Sequence, residues 1–192
     1  MSKLEIVLAS SSKIRRDIIS NYDVDVIFYN PKINEEQLKQ DNLNLNPRSL
    51  AALLAKSKAL SLADKFSEKF ILGCDQICIF NDKIMSKPLN KKKAISNLKE
   101  LSGNTHNLFG AYCVSKGNEI IIEHQIECEM EMRNLTDREI QEYVALDKPL
   151  ESCGAYKFEA NGFKLFKSVI GSLEAINGLP FADLKELIDA KL

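Results

Sequence analysis

Residues 6–16 read Ile-Val-Leu-Ala-Ser-Ser-Ser-Lys-Ile-Arg-Arg, an apolar run that ends in hydroxyl and guanidinium groups. The run predicts a buried strand over residues 4–9, and Ser12 is a suitable N-cap for a helix that follows directly. Free backbone N–H groups and the positive end of the helix dipole gather at such a helix start. Arg15 adds a guanidinium suited to bidentate binding of phosphate oxygens. The stretch is consistent with an anion site or with an ordinary capped surface helix.

Composition narrows the class of protein. The 192 residues include 26 Lys and Arg and 27 Asp and Glu, for a net charge of -1, and 45% are hydrophobic. This length is sufficient for one substantial core or for a core with a lobe, and the charge balance argues against broad nucleic-acid binding. We see no apolar stretch of membrane-spanning length and no signal-peptide core, so we expect a cytoplasmic protein without a membrane partner.

The five cysteines are odd in number and form no CxxC pair, which disfavours a disulfide framework. Cys74 and Cys78 alternate with apolar residues, so we expect them in the core as small hydrophobic side chains. The two histidines, His106 and His124, lie far apart in the chain. A zinc site built from His and Cys is therefore disfavoured.

Further elements follow from periodicity, capping and turn signals. In chain order they are a strand over 24–29, a polar loop through Asn46, a helix over 48–65 opened by Pro47, strand segments over 70–73 and 77–80, a turn over 81–83, a helix over 91–101, an antiparallel pair over 107–114 and 119–132, a helix ending at Leu146 and a terminal helix over 181–190. Thr136 and Glu139 have the spacing of a capping box, which makes a structural role for Glu139 the better interpretation.

Several charged residues occupy positions where burial or a cleft is expected. Asp75 interrupts an apolar run, and a carboxylate there needs a partner, a metal or a function; a paired structural aspartate explains the pattern equally well. Lys87 precedes a proline that fixes the backbone, which favours either phosphate binding or a solvated loop. Glu35 and Glu36, in the polar stretch, are either oxygen ligands for a hard divalent cation or water-facing side chains.

A series of motifs runs nearly the whole length of the chain. They are residues 8–12 with Arg15-Arg16, Leu54-Ala55 with Lys58-Ala59, Gly73-Cys74-Asp75-Gln76, Lys87-Pro88, Leu101-Ser102-Gly103, residues 154–162 and Gly178-Leu179-Pro180. In this order and spacing they resemble the Maf family of nucleoside triphosphate pyrophosphatases. The resemblance implies one domain over residues 1–192 with an α/β fold, in which an elongated, twisted mixed sheet is flanked by helices. It also implies two lobes around a nucleotide cleft, as in the inosine triphosphate pyrophosphatases.

The resemblance also implies a reaction and a set of site residues. The reaction is hydrolysis between the α- and β-phosphates, giving a nucleoside monophosphate and pyrophosphate. Charge that develops on the phosphoryl oxygens must be offset by cations and N–H donors. The resemblance assigns substrate binding to Ser12, Arg15, Lys58 and Lys87. It makes Asp75 the base that activates water, and Asp75 with Glu35 the ligands of Mg²⁺ or Mn²⁺.

Within the family, two positions resemble the 7-methyl-GTP pyrophosphatases. Gln76 stands where the pyrimidine-preferring pattern has threonine, and Glu159 stands where that pattern has glutamine. A carboxylate at Glu159 can accept from the N1–H and amine of a cationic guanine. Ile14 and Lys13 depart from the subgroup pattern, which has an aromatic residue and a proline there. Isoleucine cannot make the cation–π contact, worth about 0.5 to 2 kcal/mol, that an aromatic side chain could offer.

Two alternative functions remain open at this point. One is a dTTP/UTP pyrophosphatase of the same family, and the other is a non-catalytic nucleotide-binding regulator of cell division. The combination of Asp75, Glu35, Arg15 and Lys87 weighs against the regulator, because a binding module needs no carboxylate to activate water. The expected partner is a small-molecule nucleotide, and the resemblance leaves a homodimer open.

Overall fold

The structure, a computed structural model, describes residues 3–191 and confirms the predicted α/β class. The strands are β1 (Glu5–Ala9), β2 (Asp25–Tyr29), β3 (Phe70–Phe80), β4 (Lys83–Ile84), β5 (Thr105–Lys116), β6 (Glu119–Met132) and β7 (Phe166–Ile170). The helices are α1 (Lys13–Ile19), α2 (Glu35–Asp41), α3 (Pro47–Leu60), α4 (Lys91–Leu101), α5 (Asp137–Asp147), α6 (Leu173–Ile176) and α7 (Phe181–Asp189). Two 3₁₀ turns cover Cys153–Ala155 and Gly162–Leu165.

The strands form one mixed sheet, as predicted. Its order is β2-β1-β3-β5-β6-β7, with the short β4 paired to β3. β1 runs parallel to both of its neighbours, and its Leu8 lies opposite Phe28 of β2 and Leu72 of β3. β4 is antiparallel to β3, and β7 is antiparallel to β6. The parallel strands β1 and β3 therefore direct the residues after Ala9 and Gly73 to neighbouring positions.

The chain divides into two compact units. The first contains the residues up to Asp75, Gly110–Ile126 and the residues from Leu173 onward; the second contains Gln76–Phe109 and Glu127–Ser172. This division does not test the prediction of one domain over residues 1–192, which stays a prediction. Among the helices of residues 3–191, none has the length and apolar character of a membrane span.

The core of the first unit forms around β1, α1 and α7. Its fully buried side chains include Ile6, Leu8, Ile19, Leu72, Phe181 and Leu184. The ring of Phe181 packs edge to face on Tyr22, with centroids 4.9 Å apart. Cys74 belongs to the same core and Cys78 is buried in the second unit, so the prediction that both are core thiols is confirmed.

The second unit encloses an aromatic cluster. His106 Nε2 and the Tyr156 hydroxyl lie 2.9 Å apart, and Phe166 packs edge to face on Tyr156 at 4.9 Å. Thr136 and Glu139 each accept the other's backbone N–H, so the predicted capping box and its structural role are confirmed.

The predicted loop through Asn46 is wrong, because residues 35–41 form helix α2. The Asn34 side chain accepts from the Gln37 N–H at 3.1 Å and caps the helix. Glu35 and Glu36 lie in the first turn, where carboxylates interact favourably with the helix dipole. Sequence periodicity missed α2 because none of its residues is buried.

Two further boundaries differ from the prediction. Helix α3 begins at Pro47, capped by Asn46, and ends at Leu60, five residues before the predicted end. Its buried positions are mainly alanines; the buried residues are Ala51, Leu54, Ala55, Lys58 and Ala59. Strand β3 continues through Asp75 without the predicted interruption, because the ladder forms from backbone groups whatever the side chain.

Stability should depend on pH through His106. Burial lowers the pKa of His106 to about 4, from an ordinary value of 6.5. Between these two pH values the unfolded chain binds a proton that the folded protein does not, so stability falls as the pH falls through that window. The loss due to His106 approaches about 3 kcal/mol near pH 4. Urea unfolding at pH 7 and pH 4.5 should show a smaller loss for His106→Gln than for the wild type. Equal losses would contradict the lowered pKa of His106.

Candidate active site

A buried lysine forms the centre of the candidate site. The side chain of Lys58, on α3, is only 8% exposed, and its Nζ lies 2.7 Å from Asp75 Oδ1 and 3.2 Å from Glu35 Oε1. The same ammonium lies 3.4 Å from the Cys74 carbonyl oxygen. An unpaired charge at this depth would be costly, so the two carboxylates and the ammonium stabilise one another. The structure thus brings together three residues that the sequence had marked as separate candidates.

Gly73 sets the distance between α3 and β3. A Cβ atom at this position would lie 2.1 Å from the Ala55 carbonyl oxygen and 2.6 Å from the Ala59 nitrogen. These are backbone atoms of α3 on either side of Lys58, and real Cβ atoms essentially never come so close to another heavy atom. The helix backbone can approach the strand only because residue 73 has no side chain. This approach allows Lys58 to reach the carboxylate of Asp75.

The predicted anion-binding turn lies beside this cluster. Ser12 occupies the N-cap position of α1, as predicted, but its side chain makes no capping hydrogen bond to the helix. Its backbone N–H instead donates to Ser10 Oγ at 3.2 Å. Ala9, the last residue of β1, pairs with Gly73 of β3. The serine turn that follows Ala9 therefore lies beside the part of β3 that leads into Asp75.

Arg15 acts as an internal brace in this structure. Its Nε donates to the Gly178 carbonyl at 2.8 Å, and its Nη1 donates to the Cys74 carbonyl at 3.0 Å. The Cys74 carbonyl therefore accepts from both Arg15 and Lys58. The sequence identified Arg15 as a phosphate clamp and did not anticipate that two of its nitrogens hold backbone carbonyls.

Sequence analysis also missed a pair of residues that holds the Gly178 turn. The Tyr22 hydroxyl donates to Glu174 Oε1 at 2.5 Å, and the Ala182 N–H donates to Glu174 Oε2 at 3.0 Å. The hydrogen bond to the Glu174 carboxylate raises the pKa of Tyr22 to about 12. Glu174 thereby connects Tyr22, which follows α1, to the start of α7. The Gly178 carbonyl, which accepts from Arg15, lies in the turn between Glu174 and α7. No motif marked Tyr22, because the two residues are 152 positions apart.

Three predicted site residues belong to the second unit. Gln76 follows Asp75 directly and is half-buried, Lys87 is exposed on the segment between β4 and α4, and Glu159 is exposed in the turn before residues 162–165. Their predicted functional roles stay predictions. Ile14, in the first unit, packs partly buried against the core around β1.

The cluster offers hard oxygen ligands and no nucleophilic thiol. Burial raises the pKa of the Cys74 thiol to about 11, so this sulfur stays protonated at neutral pH. Among residues 3–191 no three His, Cys, Asp or Glu side chains gather as a ready metal site. Glu35 and Asp75 nevertheless converge on one ammonium, and Mg²⁺ is commonly held by one or two carboxylates together with substrate phosphates and water. The donor set therefore fits a divalent cation that takes its remaining ligands from water and phosphate oxygens.

Comparison with known proteins gives consistent matches over nearly the whole chain. The family model described as "Maf-like protein" matches residues 5–191. A "Nucleoside triphosphate pyrophosphatase" of Legionella pneumophila is 35% identical, covering 93% of this chain and 90% of the relative. A "7-methyl-GTP pyrophosphatase" of Bdellovibrio bacteriovorus is 34% identical, covering 98% of both chains. A "dTTP/UTP pyrophosphatase" of Pyrococcus furiosus is also 34% identical, covering 96% and 94%.

Gly73→Ala should disturb the site without changing any charged group. The added methyl group must push the α3 backbone away from β3, at a cost of about 1 to 3 kcal/mol in the free energy of unfolding. The shift should also separate Lys58 from Asp75. Lys56→Ala, on the same helix, is the matched control, because its pair with Glu123 is a surface contact of 3.7 Å worth about 0 to 1 kcal/mol. Chemical denaturation measures both variants, and equal stability would show that Gly73 is not required for the close approach.

Proposed function

The chain belongs to the Maf family, and from that premise we propose that it hydrolyses a nucleoside triphosphate between the α- and β-phosphates. The products are a nucleoside monophosphate and pyrophosphate. It is a nucleoside triphosphate pyrophosphatase, a hydrolase of acid anhydrides. The observation that best supports the proposal is the convergence of Asp75, Glu35 and Lys58 beside the serine turn after β1.

Asp75 is assigned as the base. Its Oδ1 pairs with Lys58, and we assign Oδ2 to the attacking water. The neighbouring ammonium stabilises the carboxylate and fixes its orientation, so that one oxygen accepts the water proton as the O–P bond forms. The pyrophosphate group then leaves with the electrons of the α–β bridging bond. Because the strand, and not a loop, carries Asp75, the position of the base is well defined.

We assign the stabilisation of negative charge on the phosphoryl oxygens to nearby cations and N–H donors. Lys58 can transfer part of its interaction from the carboxylates to a phosphate oxygen, and the serine turn offers donors that include Ser12. Arg15 contributes positive charge while it holds the carbonyl of Cys74. Interactions that strengthen as charge develops lower the barrier. We also assign Lys87 to binding of the phosphate chain, on the basis of the Lys87-Pro88 motif.

Glu35 and Asp75 are the assigned ligands of Mg²⁺ or Mn²⁺. When bound, such a cation would neutralise phosphate charge and help to align the leaving group. The Lys58 ammonium contacts both carboxylates and keeps them close together. The two carboxylates and the single ammonium leave a net charge of −1, which favours the binding of a divalent cation.

The proposed substrate is 7-methyl-GTP. Support comes from the residue types at Gln76 and Glu159, because a carboxylate suits the two donors on the edge of a cationic guanine. Overall identity does not separate this substrate from the pyrimidine nucleotides, since the relatives named for each are 34% identical to this chain. A dTTP/UTP preference is the alternative that Glu159 disfavours, because the uracil edge has one donor flanked by carbonyls.

Asp75→Asn should lower turnover by about 10²- to 10⁴-fold, because the amide keeps the size and an acceptor for Lys58 but removes the base. The measurement is release of pyrophosphate and monophosphate from a panel of nucleoside triphosphates, with and without a chelator of divalent cations. Circular dichroism checks the fold of each variant.

Glu35→Gln and Glu36→Gln form a matched pair for the same assay. Glu35 touches Lys58, whereas Glu36 points to Lys39 and its side chain is 80% exposed, so the loss should be confined to Glu35→Gln. Near-normal turnover by Asp75→Asn would remove the base assignment. Orthophosphate and a diphosphate as products would refute the reaction itself.

Glu159→Gln should lower the preference for 7-methyl-GTP over UTP and dTTP. The change replaces an acceptor by a donor that faces donors, a loss of roughly 1.5 to 3 kcal/mol or about ten- to a hundredfold in specificity. The measurement is the ratio of kcat/KM values for the modified purine and the two pyrimidines. Glu151→Gln, another exposed glutamate of the second unit, serves as the control.

Two results would contradict the assignment of Glu159. An unchanged ratio would mean that this side chain does not read the base. A wild-type preference for UTP or dTTP would overturn the proposed substrate and leave the proposed reaction intact.

A further inference from the structure

Glu174 closes the turn between α6 and α7 with both its backbone and its side chain. Its carbonyl oxygen accepts from the Leu179 N–H at 2.8 Å, and its carboxylate Oε2 accepts from the Ala182 N–H at 3.0 Å. The Leu179 nitrogen and the Gly178 carbonyl belong to one planar trans peptide group, so they point in opposite directions. Holding this N–H toward Glu174 therefore directs the Gly178 carbonyl away from it.

This turn is attached to helix α1 at two points. The Tyr22 hydroxyl, just after α1, donates to Glu174 Oε1 at 2.5 Å, and Arg15 Nε, within α1, donates to the Gly178 carbonyl at 2.8 Å. The Tyr22 ring is itself held by its edge-to-face contact with Phe181. The position of the Gly178 carbonyl relative to α1 therefore depends on the hydrogen bond between Tyr22 and Glu174.

Arg15 transmits this position to the proposed base. Its guanidinium group is planar and rigid, so fixing Nε on Gly178 also fixes Nη1, which donates to the Cys74 carbonyl at 3.0 Å. That carbonyl belongs to the peptide group that contains the nitrogen of Asp75. Pairing of β3 with β1 ends at Gly73, one residue earlier, so Arg15 restrains the backbone at the point where this neighbouring strand no longer does.

We propose that Tyr22 and Glu174 are positioning residues for the base, a role that rests on the proposed function. They hold the turn that anchors Arg15, and Arg15 holds the backbone that carries Asp75. All four residues belong to the first unit. A displacement of about 1 Å in a reacting group can cost about 10²-fold in rate, so loss of a single remote hydrogen bond should be visible in turnover.

Tyr22→Phe is the most selective test, because it keeps the ring contact with Phe181 and removes only the hydroxyl. The kcat for pyrophosphate release should fall by about tenfold or more, because the base is displaced. KM should change little, since Arg15 keeps its charge. Tyr29→Phe is the matched control, because that hydroxyl accepts from Lys65 at the surface at 2.9 Å. This control should leave kcat unchanged.

A double variant separates positioning from a general contribution to stability. Arg15→Lys keeps a positive charge but has no planar fork to span two carbonyls. In that background the Tyr22 hydroxyl has lost its connection to the base, so adding Tyr22→Phe should lower kcat no further. A hydrogen bond that acts independently of Arg15 would lower kcat by the same factor in both backgrounds.

A second measurement requires no turnover. Solution NMR can follow the exchange of the Arg15 Nε–H with water, which is slow while this group donates to Gly178. Tyr22→Phe should accelerate the exchange. Glu174→Gln should do the same, because its amide replaces one of two acceptors by a donor. Tyr29→Phe should not alter it.

Each outcome decides the proposal. A lowered kcat with little change in KM, no further loss in the Arg15→Lys background and faster exchange of the Arg15 Nε–H support it. A wild-type kcat in Tyr22→Phe, an equal loss in both backgrounds or unchanged exchange overturns it. Absence of pyrophosphate release by the wild type would refute the proposed function instead, and the exchange measurement would still decide whether Tyr22 and Glu174 hold Arg15.

Discussion

The ion pair between Lys58 and Asp75 is the interaction on which the arrangement of the first unit depends. A lysine buried to this degree is stable only beside a negative charge, and Asp75 on β3 supplies it at 2.7 Å. Each group would be costly alone, so helix α3 and strand β3 must keep their relative position. Glu35, at the start of α2, adds a second carboxylate to the same ammonium. Three elements are thereby fixed around one charge.

The packing of small residues makes this ion pair reachable. Gly73 removes the side chain that would otherwise separate strand and helix, and the buried face of α3 is mainly alanine. Larger apolar residues would bury more surface but would hold the helix farther away and leave the ammonium out of reach. These small residues bury less apolar surface than larger ones would. They allow α3 to approach β3 closely enough to bring Lys58 to Asp75. This is typical of a site built on rigid elements rather than on loops.

A second set of contacts holds the turn that faces Arg15. Glu174 accepts from Tyr22 and from the Ala182 N–H, and Arg15 spans from Gly178 to Cys74. Through the Cys74 carbonyl, this brace reaches the residue that precedes the proposed base. The carboxylate of Asp75, the proposed base, is therefore positioned from two directions, by the side chain of Lys58 and by the backbone that Arg15 holds.

The sequence by itself determined the elements with strong local signals and the identity of the family. The strand and helix around residues 5–19, helix α4 and the capping box of α5 were predictable, because hydrophobic periodicity and capping residues act over a few positions. Helix α2 was missed, since a solvent-exposed helix lacks an apolar stripe. Only the tertiary structure decided that Lys58 holds both Glu35 and Asp75 and that Arg15 braces Cys74 and Gly178. These partners are distant in the chain, and their meeting depends on how closely α3 and α1 pack on the sheet, which no local pattern encodes.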